Sequence, residues 1–479
     1  MNKFSPVIKF VMATSLLITS SELVFAKPST PSPAPAPSAP VKAAPAVPAA
    51  SDAPAKIVVD PEQLRQRVLE HNLSLEQELN TVKDQKDNVN VARGKLLPSL
   101  NLSFADSGPS FLLSQVQFLL PFLFPSNWFN LYAAENLFDA QKIAYQVLEM
   151  NVYSTALSTY FAIQADIKIS KVYAQQAQDL MQIYHIKKVM SDQLGIIAPE
   201  DLEQALATAN LSQVTSSQWS ETTAQEIASL RQVMGLPLST EIEVAEVDMP
   251  ASDWEEKPVD AMVTQALSVA LENRQIDDLI KAAKDGKYSA AFAFLNSGTL
   301  TSQGGSGQNA SLANLAGGIS VHFGFEYFPN LSLSERNVTE VTLQKTSLSQ
   351  QVSQTMESVK GSVYYASQQY NLAAQAESAL TDVFQIAAAK YNSGLGSLLE
   401  VLTARSSLAQ ASYARIKAQE DLNQQRVSLH RAMVTDQFSQ IKGCTIMPQP
   451  KPGFWSGLIG SHKSDKTIDQ MCKEGGSNP

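Results

Sequence analysis

Along the chain the hydrophobic period changes from two to nearly four, and it does so twice. Leu100, Leu102 and Phe104 alternate with Asn101 and Ser103, and Val116, Phe118, Leu120, Phe122 and Phe124 again hold every second position. A period of two means strands with one apolar and one polar face, here over about 97–106 and 111–124. In the second half Phe292 and Phe294 alternate with small residues, and Ile319, Val321, Phe323, Phe325 and Tyr327 alternate with Ser320, His322, Gly324 and Glu326. That predicts strands over about 287–297 and 315–328, joined by a Gly/Ser/Asn-rich loop over 297–316. Each pair is followed by a proline-free stretch, about 130–193 and 331–392, with apolar residues every three or four positions. At 1.5 Å per residue such a helix is about 90 Å long. Gly195, and Gly394 with Gly396, end these stretches, and second helices return over about 199–235 and 397–434. Helix, glycine turn and returning helix form an antiparallel coiled-coil hairpin.

The repetition is a duplication. A shift of 199 residues lays Gly195 on Gly394, Asp201 on Glu400, Ala205 on Ala404, Leu230 on Leu429 and Met234 on Met433. Upstream, Leu69-Glu70 corresponds to Leu271-Glu272 and Phe124-Pro125 to Phe328-Pro329. The units run over about 57–240 and 258–436. The connector between them, 241–257, carries seven carboxylates and no Lys or Arg up to Glu256, and reads as solvated chain. From Leu271 to Tyr288 the second unit is shorter than its partner from Leu69 to Leu97, so its first helix is expected to be truncated.

Composition sharpens this picture. Charged residues are only 17% of the 479, below the usual quarter. Ser, Gln, Asn and Thr interleaved with Ala supply the polarity, which suits closely packed helices. A formal charge of −10 excludes a nucleic-acid partner held through phosphates. Two Cys exclude a disulfide-dense scaffold, and five scattered His show no metal-ligand spacing. With no nucleophile elbow and no phosphate-binding loop, neither an enzyme nor a cofactor is expected. Lys3 and Lys9 precede the apolar run Phe10–Ile18 and the small-residue site ending at Ala26, a secretory signal over 1–26. Residues 27–56 hold nine of the 24 prolines and read as an extended tether.

In an exported chain, aromatic alternating faces are what a membrane barrel presents to lipid. Four strands cannot close a barrel, and an open edge in lipid leaves backbone groups unpaired at several kcal/mol each. More than one chain is therefore required. The competing reading, a non-conducting periplasmic coiled-coil interaction protein, gives no reason for such faces.

The arrangement resembles the TolC-type outer-membrane efflux proteins over about 60–436. The residues that carry the likeness are Ala92 to Leu100 (ARGKLLPSL), Ala270 to Arg274 (ALENR), and the two turn motifs, Gly195 to Ala205 and Tyr391 to Ala404. The resemblance implies a mainly α fold with a membrane β-barrel: a homotrimer whose twelve-stranded barrel is continued by an α-helical tunnel. It implies an address in the cell outer membrane, among its lipids, extending into the periplasm, with a periplasmic adaptor and an inner-membrane pump as partners. It also implies a passive exit duct for tripartite efflux or type I secretion.

By the same resemblance the helical tips form the periplasmic gate. Tyr391 matches the family's tyrosine, and Asp201 and Glu400 match its carboxylates. Gly396 stands where the family has an arginine, and Thr403 where it has a further acidic residue. Closure is then expected from Tyr391 and Asp201, with Glu200 and Arg405 as substitutes. The C-terminal extension, 437–479, adds Cys444 and Cys472, expected to pair in the oxidising periplasm and to close a loop worth roughly 3–4 kcal/mol.

Overall fold

A computed structural model describes residues 56–97, 99–104, 113–119, 121–194, 199–303, 315–321 and 324–441. The signal, the tether up to residue 55, Gly195, Cys444 and Cys472 lie outside these residues. Among those described, the first unit contains β1 (Lys56–Val59), α1 (Pro61–His71), α2 (Leu73–Gly94), β2 (Ser99–Phe104), β3 (Leu113–Leu119), α3 (Pro125–Leu194) and α4 (Pro199–Val233). After β4 (Glu241–Val244) the order recurs as α5 (Val259–Val269), α6 (Leu271–Ala291), β5 (Leu295–Gln303), β6 (Leu315–Val321), α7 (Tyr327–Asn392) and α8 (Leu398–Met433).

The long helices set the dimensions. α3 has 70 residues and α7 has 66, about 105 and 99 Å at 1.5 Å per residue. No compact core surrounds such a helix, so its apolar side is covered in relays. α3 packs on α2 and α6 along one stretch and on α4 and α8 along the other. α7 packs on α6 and α8 in the same manner. Buried alanines, among them Ala156, Ala205, Ala209, Ala404 and Ala409, let the hairpin backbones approach closely. Where α3 and α4 cross, Ser170 and Ser216 exchange hydroxyl–carbonyl hydrogen bonds at 3.1 and 3.0 Å.

The largest core gathers parts remote in sequence. Val59, Leu64, Val68, Tyr153, Tyr160, Phe161, Leu230, Ile242, Val427 and Phe438 share one buried cluster. β1 and β4 meet there in parallel, Lys56 opposite Glu241 and Val59 opposite Val244, with Ile242 and Met249 buried. Arg426 donates to Glu255 at 3.0 Å, and His430 Nε2 stands 3.1 Å from the Pro250 carbonyl. The acidic connector is thus packed chain: Glu255 is paired with Arg426 and the connector's other carboxylates point outward, while Ile242 and Met249 point in. The extension also begins inside this core, since Phe438 is fully buried against Tyr153, ring centroids 5.1 Å apart.

β2, β3, β5 and β6 form one antiparallel sheet in that order, with Leu100 opposite Phe118, Phe118 opposite Leu300, and Leu300 opposite Gly317. Its outer edges are β2 and β6. Several boundaries differ from expectation. Residues 287–291 finish α6, and Phe292 caps it. Residues 297–303, read as loop, belong to β5. β3 is described over Leu113–Leu119, and Pro121, which cannot donate to a ladder, starts a short 3-10 turn where the sequence period predicts further strand. β6 stops at Val321, and Tyr327 already belongs to α7. α6 is not truncated: it has 21 residues against 22 in α2.

Two termini show how the copies diverged. α4 ends on Gly235 at φ +63°, with the Leu236 amide donating to the Arg231 carbonyl at 3.0 Å and the Gly235 amide to Gln232 at 3.1 Å. The equivalent residue after α8, Val434, takes φ +50° without glycine's freedom. At Gly235 a Cβ would meet the His71 carbonyl oxygen at 2.5 Å.

Buried carboxylates tie the helices together. Asp166 of α3 and Glu420 of α8 share the Lys417 ammonium at 3.4 and 2.6 Å. Glu226 of α4 faces the same group, and burial, with the charges of Asp166 and Glu420, pushes it up to about 7. Glu149 on α3 is also pushed up to about 7 by burial, and its Oε2 is buried with no hydrogen-bond partner.

Two outcomes follow from this packing. Gly235→Ala should lower stability by about 1–3 kcal/mol through left-handed strain and the clash with His71, read as a lower melting temperature by circular dichroism. A carboxyl whose pKa is higher folded than unfolded favours the protonated fold, so stability falls as pH rises from about 4.5 to about 7. For Glu149 the loss is on the order of 3 kcal/mol at most. Glu149→Gln should therefore melt higher than the parent at pH above 7 and show less change across that window. An unaltered pH profile would rule out Glu149 as the source.

Candidate functional site at the helical tips

The turn between α7 and α8 is built by its sequence. The Gly394 amide donates to the Tyr391 carbonyl at 3.0 Å and the Leu395 amide to Lys390 at 2.9 Å, with Gly394 at φ +75°. These paired bonds satisfy carbonyls that the helix end would leave open. Gly396 closes the turn: a Cβ there would lie 3.1 Å from Lys390 Cβ and from the Tyr391 amide nitrogen, and 3.3 Å from Glu400 Oε2. An arginine at this position would have to push its neighbours apart, so the glycine belongs to a tighter turn. Ser397 Oγ then accepts from the Glu400 amide at 3.2 Å and starts α8. Glu400 sits exposed in that first turn, where a carboxylate complements the partial positive charge of the helix end.

Contacts across to the first hairpin gather the site. Tyr391 packs beside Leu180, Ala205, Ala209, Leu398 and Leu402, a cluster drawn from both hairpins. The Lys187 ammonium lies 4.3 Å from the centre of the Tyr391 ring, in cation–π contact. Deeper in, Arg405 Nε and Nη2 reach Asp179 Oδ2 at 2.9 and 2.8 Å, and the guanidinium carbon lies 5.7 Å from the Phe384 ring centre. Gln176 Nε2 donates to Ser406 Oγ at 3.2 Å. α3, α7 and α8 are thereby fastened together just behind the tips.

Of the residues singled out in the sequence, Tyr391, Gly394, Gly396 and Glu400 lie in or beside this turn. Glu200 and Thr403 are exposed. Asp201 lies in the first turn of α4, its side chain outside the described set, as is Gly195 of the other turn. Arg405, read as a substitute gate residue, is buried and already committed to Asp179. Sequence reasoning missed Asp179 and Lys187. Their one signal is the helical spacing from Gln176 through Asp179 to Lys187, which falls on the side of α3 that meets the second hairpin.

Neighbouring hydroxyls are occupied by their own helices. Thr208, Ser212 and Thr215 of α4 each donate to the carbonyl four residues back, at 2.8, 2.8 and 3.0 Å. Ser212 is buried and Thr208 and Thr215 are half-buried, so these hydroxyl protons are spent within the helix itself.

The comparisons with known proteins agree with this architecture. The model of the family described as outer membrane efflux protein matches residues 294–434. The structure of the outer membrane protein VceC from Vibrio cholerae is 16% identical, covering 78% of this chain and 95% of that chain with a TM-score of 0.65. The Campylobacter jejuni outer membrane channel CmeC is 16% identical, covering 79% and 88% with a TM-score of 0.62. CusC, described as forming a transmembrane channel, is 18% identical, covering 78% and 91% with a TM-score of 0.65. At such identities the likeness carries the fold alone. No curated protein matches the chain significantly. Among the described residues no helix is long and apolar enough to cross a membrane. The family pattern thus matches the second repeat, and the fold is shared with these channels over nearly four-fifths of the chain.

Proposed function

We propose that the protein is the outer-membrane exit duct of a tripartite efflux or type I secretion system. The observation that carries this is the four-stranded antiparallel sheet with two open edges, continued by two helices about 100 Å long, each folded back through a shorter returning helix. Edges β2 and β6 must find partners in lipid, and the same edges on further copies supply them. Three copies give twelve strands, enough to surround a passage, and their hairpins extend it as a tube into the periplasm. Neutral hydroxyl-rich walls let varied cargo pass without binding it. The duct is passive; an inner-membrane pump supplies energy and, with its adaptor, opens the tips.

In this reading the resting tips are closed, and the fastening lies within one chain: Lys187 on the Tyr391 ring and Asp179 on Arg405. The second is the stronger, because a buried guanidinium deprived of its carboxylate costs about 3–5 kcal/mol, with the partial exposure of Asp179 setting it at the low end. Glu400 and, by the resemblance, Asp201 add negative charge at the mouth. Cys444 and Cys472 are proposed to pair in the extension.

Purified protein in planar bilayers should show small, salt-dependent conductance, and recovery in the soluble periplasm on fractionation would sink the proposal. Asp179→Ala combined with Tyr391→Ala should raise conductance several-fold and sensitise cells to large antibiotics. Tyr391→Phe should change little, because Lys187 reads the ring and not the hydroxyl. If the double variant conducts like the parent, these two contacts are not the latch.

A further inference from the structure

Met356, Val359 and Val363 turn one side of α7 into a buried cluster with Leu422 of α8, and the adjoining side is left open. There α7 and α8 bound a groove of about 720 Å³. Gln354, Glu357, Gly361 and Tyr365 of α7 form one wall, and Asp421 and Gln425 of α8 the other. A further space of about 490 Å³ continues it toward α5, where Asp260 joins Gln354 and Glu357.

Three features of this groove call for an occupant. Glu357, Asp421 and Asp260 are exposed and make no ion pair among the described residues. No Lys or Arg lines either part of the groove to balance them. Tyr365 is 63% exposed yet held in place: it meets Tyr364 edge-on, centroids 5.4 Å apart, and the Tyr364 hydroxyl accepts from Gln368 at 2.6 Å. At Gly361 a Cβ would meet nothing within 4 Å. Glycine inside a helix costs about 1 kcal/mol against alanine, and no described neighbour requires it here. What it opens is the helix backbone on the floor of the groove, to close approach from outside.

The chain carries a segment of matching chemistry. The described residues end at Ile441, in a core shared with Phe438 and with Val427, which stands two residues past Gln425 on α8. From Ile441 to Pro448 are seven residues, which extended reach about 24 Å, twice the width of a helix. Between Lys442 and Ser464 the extension holds Lys442, Lys451 and Lys463 and no carboxylate, in a protein of formal charge −10. Pro448, Pro450 and Pro452 alternate with Gln449 and Lys451, and Phe454 and Trp455 follow. Proline at every second position favours the extended polyproline conformation, which has no internal hydrogen bonds and leaves its carbonyls to a partner. Aromatic-lined grooves take such runs at low entropic cost, and carboxylates at the edge favour a run that carries a cation. A second copy's α4 suits the groove poorly, since between Pro199 and Val233 it has five carboxylates and one cation, Arg231.

We infer that Pro448 to Trp455 of this chain's own C-terminal extension lie in the groove between α7 and α8, with the prolines on Tyr365 and Lys451 between Glu357 and Asp421. The extension is then a strap across the second hairpin. The inference is independent of the channel reading, because it concerns one chain and its own groove.

The test is a photo-cross-link in the full chain. Gln369→p-benzoylphenylalanine places the probe in the groove wall one turn from Tyr365. On irradiation it should join to residues 446–458, identified by mass spectrometry of the digested protein. A cross-link to α4 of a second copy, to residues 27–55 or to another protein overturns the proposal, and so does the absence of any cross-link. Glu357→Lys with Asp421→Lys should lower the yield several-fold, and adding Lys451→Glu should restore most of it. A yield unmoved by these charge changes overturns the pairing of Lys451 with the two carboxylates. Circular dichroism of each variant should keep the parent's helical signal. The mapped cross-link is read with the parent charges in place, so it decides the matter even where a charge variant fails to fold.

Discussion

A helix of 70 residues cannot bury its apolar side against itself, and everything else in the fold answers that need. α3 is accompanied along its whole length, by α2 and α6 over one stretch and by α4 and α8 over the other. The shorter helices are consequently matched in length between repeats, and the tight hairpin crossings use alanine and serine where larger side chains would hold the backbones apart. Stability in such a body is distributed along a line. Besides the largest core, the ties that join the repeats, Arg405 with Asp179 and Lys417 with Asp166, are polar and directional. Elongated packing of this kind tolerates sliding of one hairpin on another better than a globular core does.

Much of this was legible from spacing alone. The strand at Leu100–Phe104 and the glycine end of α7 follow from period and turn chemistry. The errors have specific physical causes. Tyr288, Phe292 and Phe294 look like alternating strand residues, but Tyr288 and Phe292 are four apart at a helix end, where aromatic stacking with Phe129 claims them. The connector reads as solvated because its carboxylates outnumber Ile242, Val244 and Met249, yet Ile242 and Val244 at the correct register suffice for a short parallel pair, and Met249 is buried beyond it. The tip turn was readable because Gly394 and Tyr391 are local. Asp179 and Lys187 were not, because their partners lie more than 200 residues away and no local pattern announces a cross-hairpin ion pair.

The pairing of β1 with β4 bears on the order in which the chain can complete its core. These strands join the beginning of the first repeat to the segment that follows it, so that repeat is tied end to end by residue 244. Among the described residues the second repeat has no such seal of its own. Its last contribution to the shared core is Phe438 and Ile441, close to the final residues described. Completion of the fold is thereby ordered: a chain made as far as residue 244 can tie its first repeat end to end, but the core beside Tyr153 stays unfilled until Phe438 and Ile441 arrive.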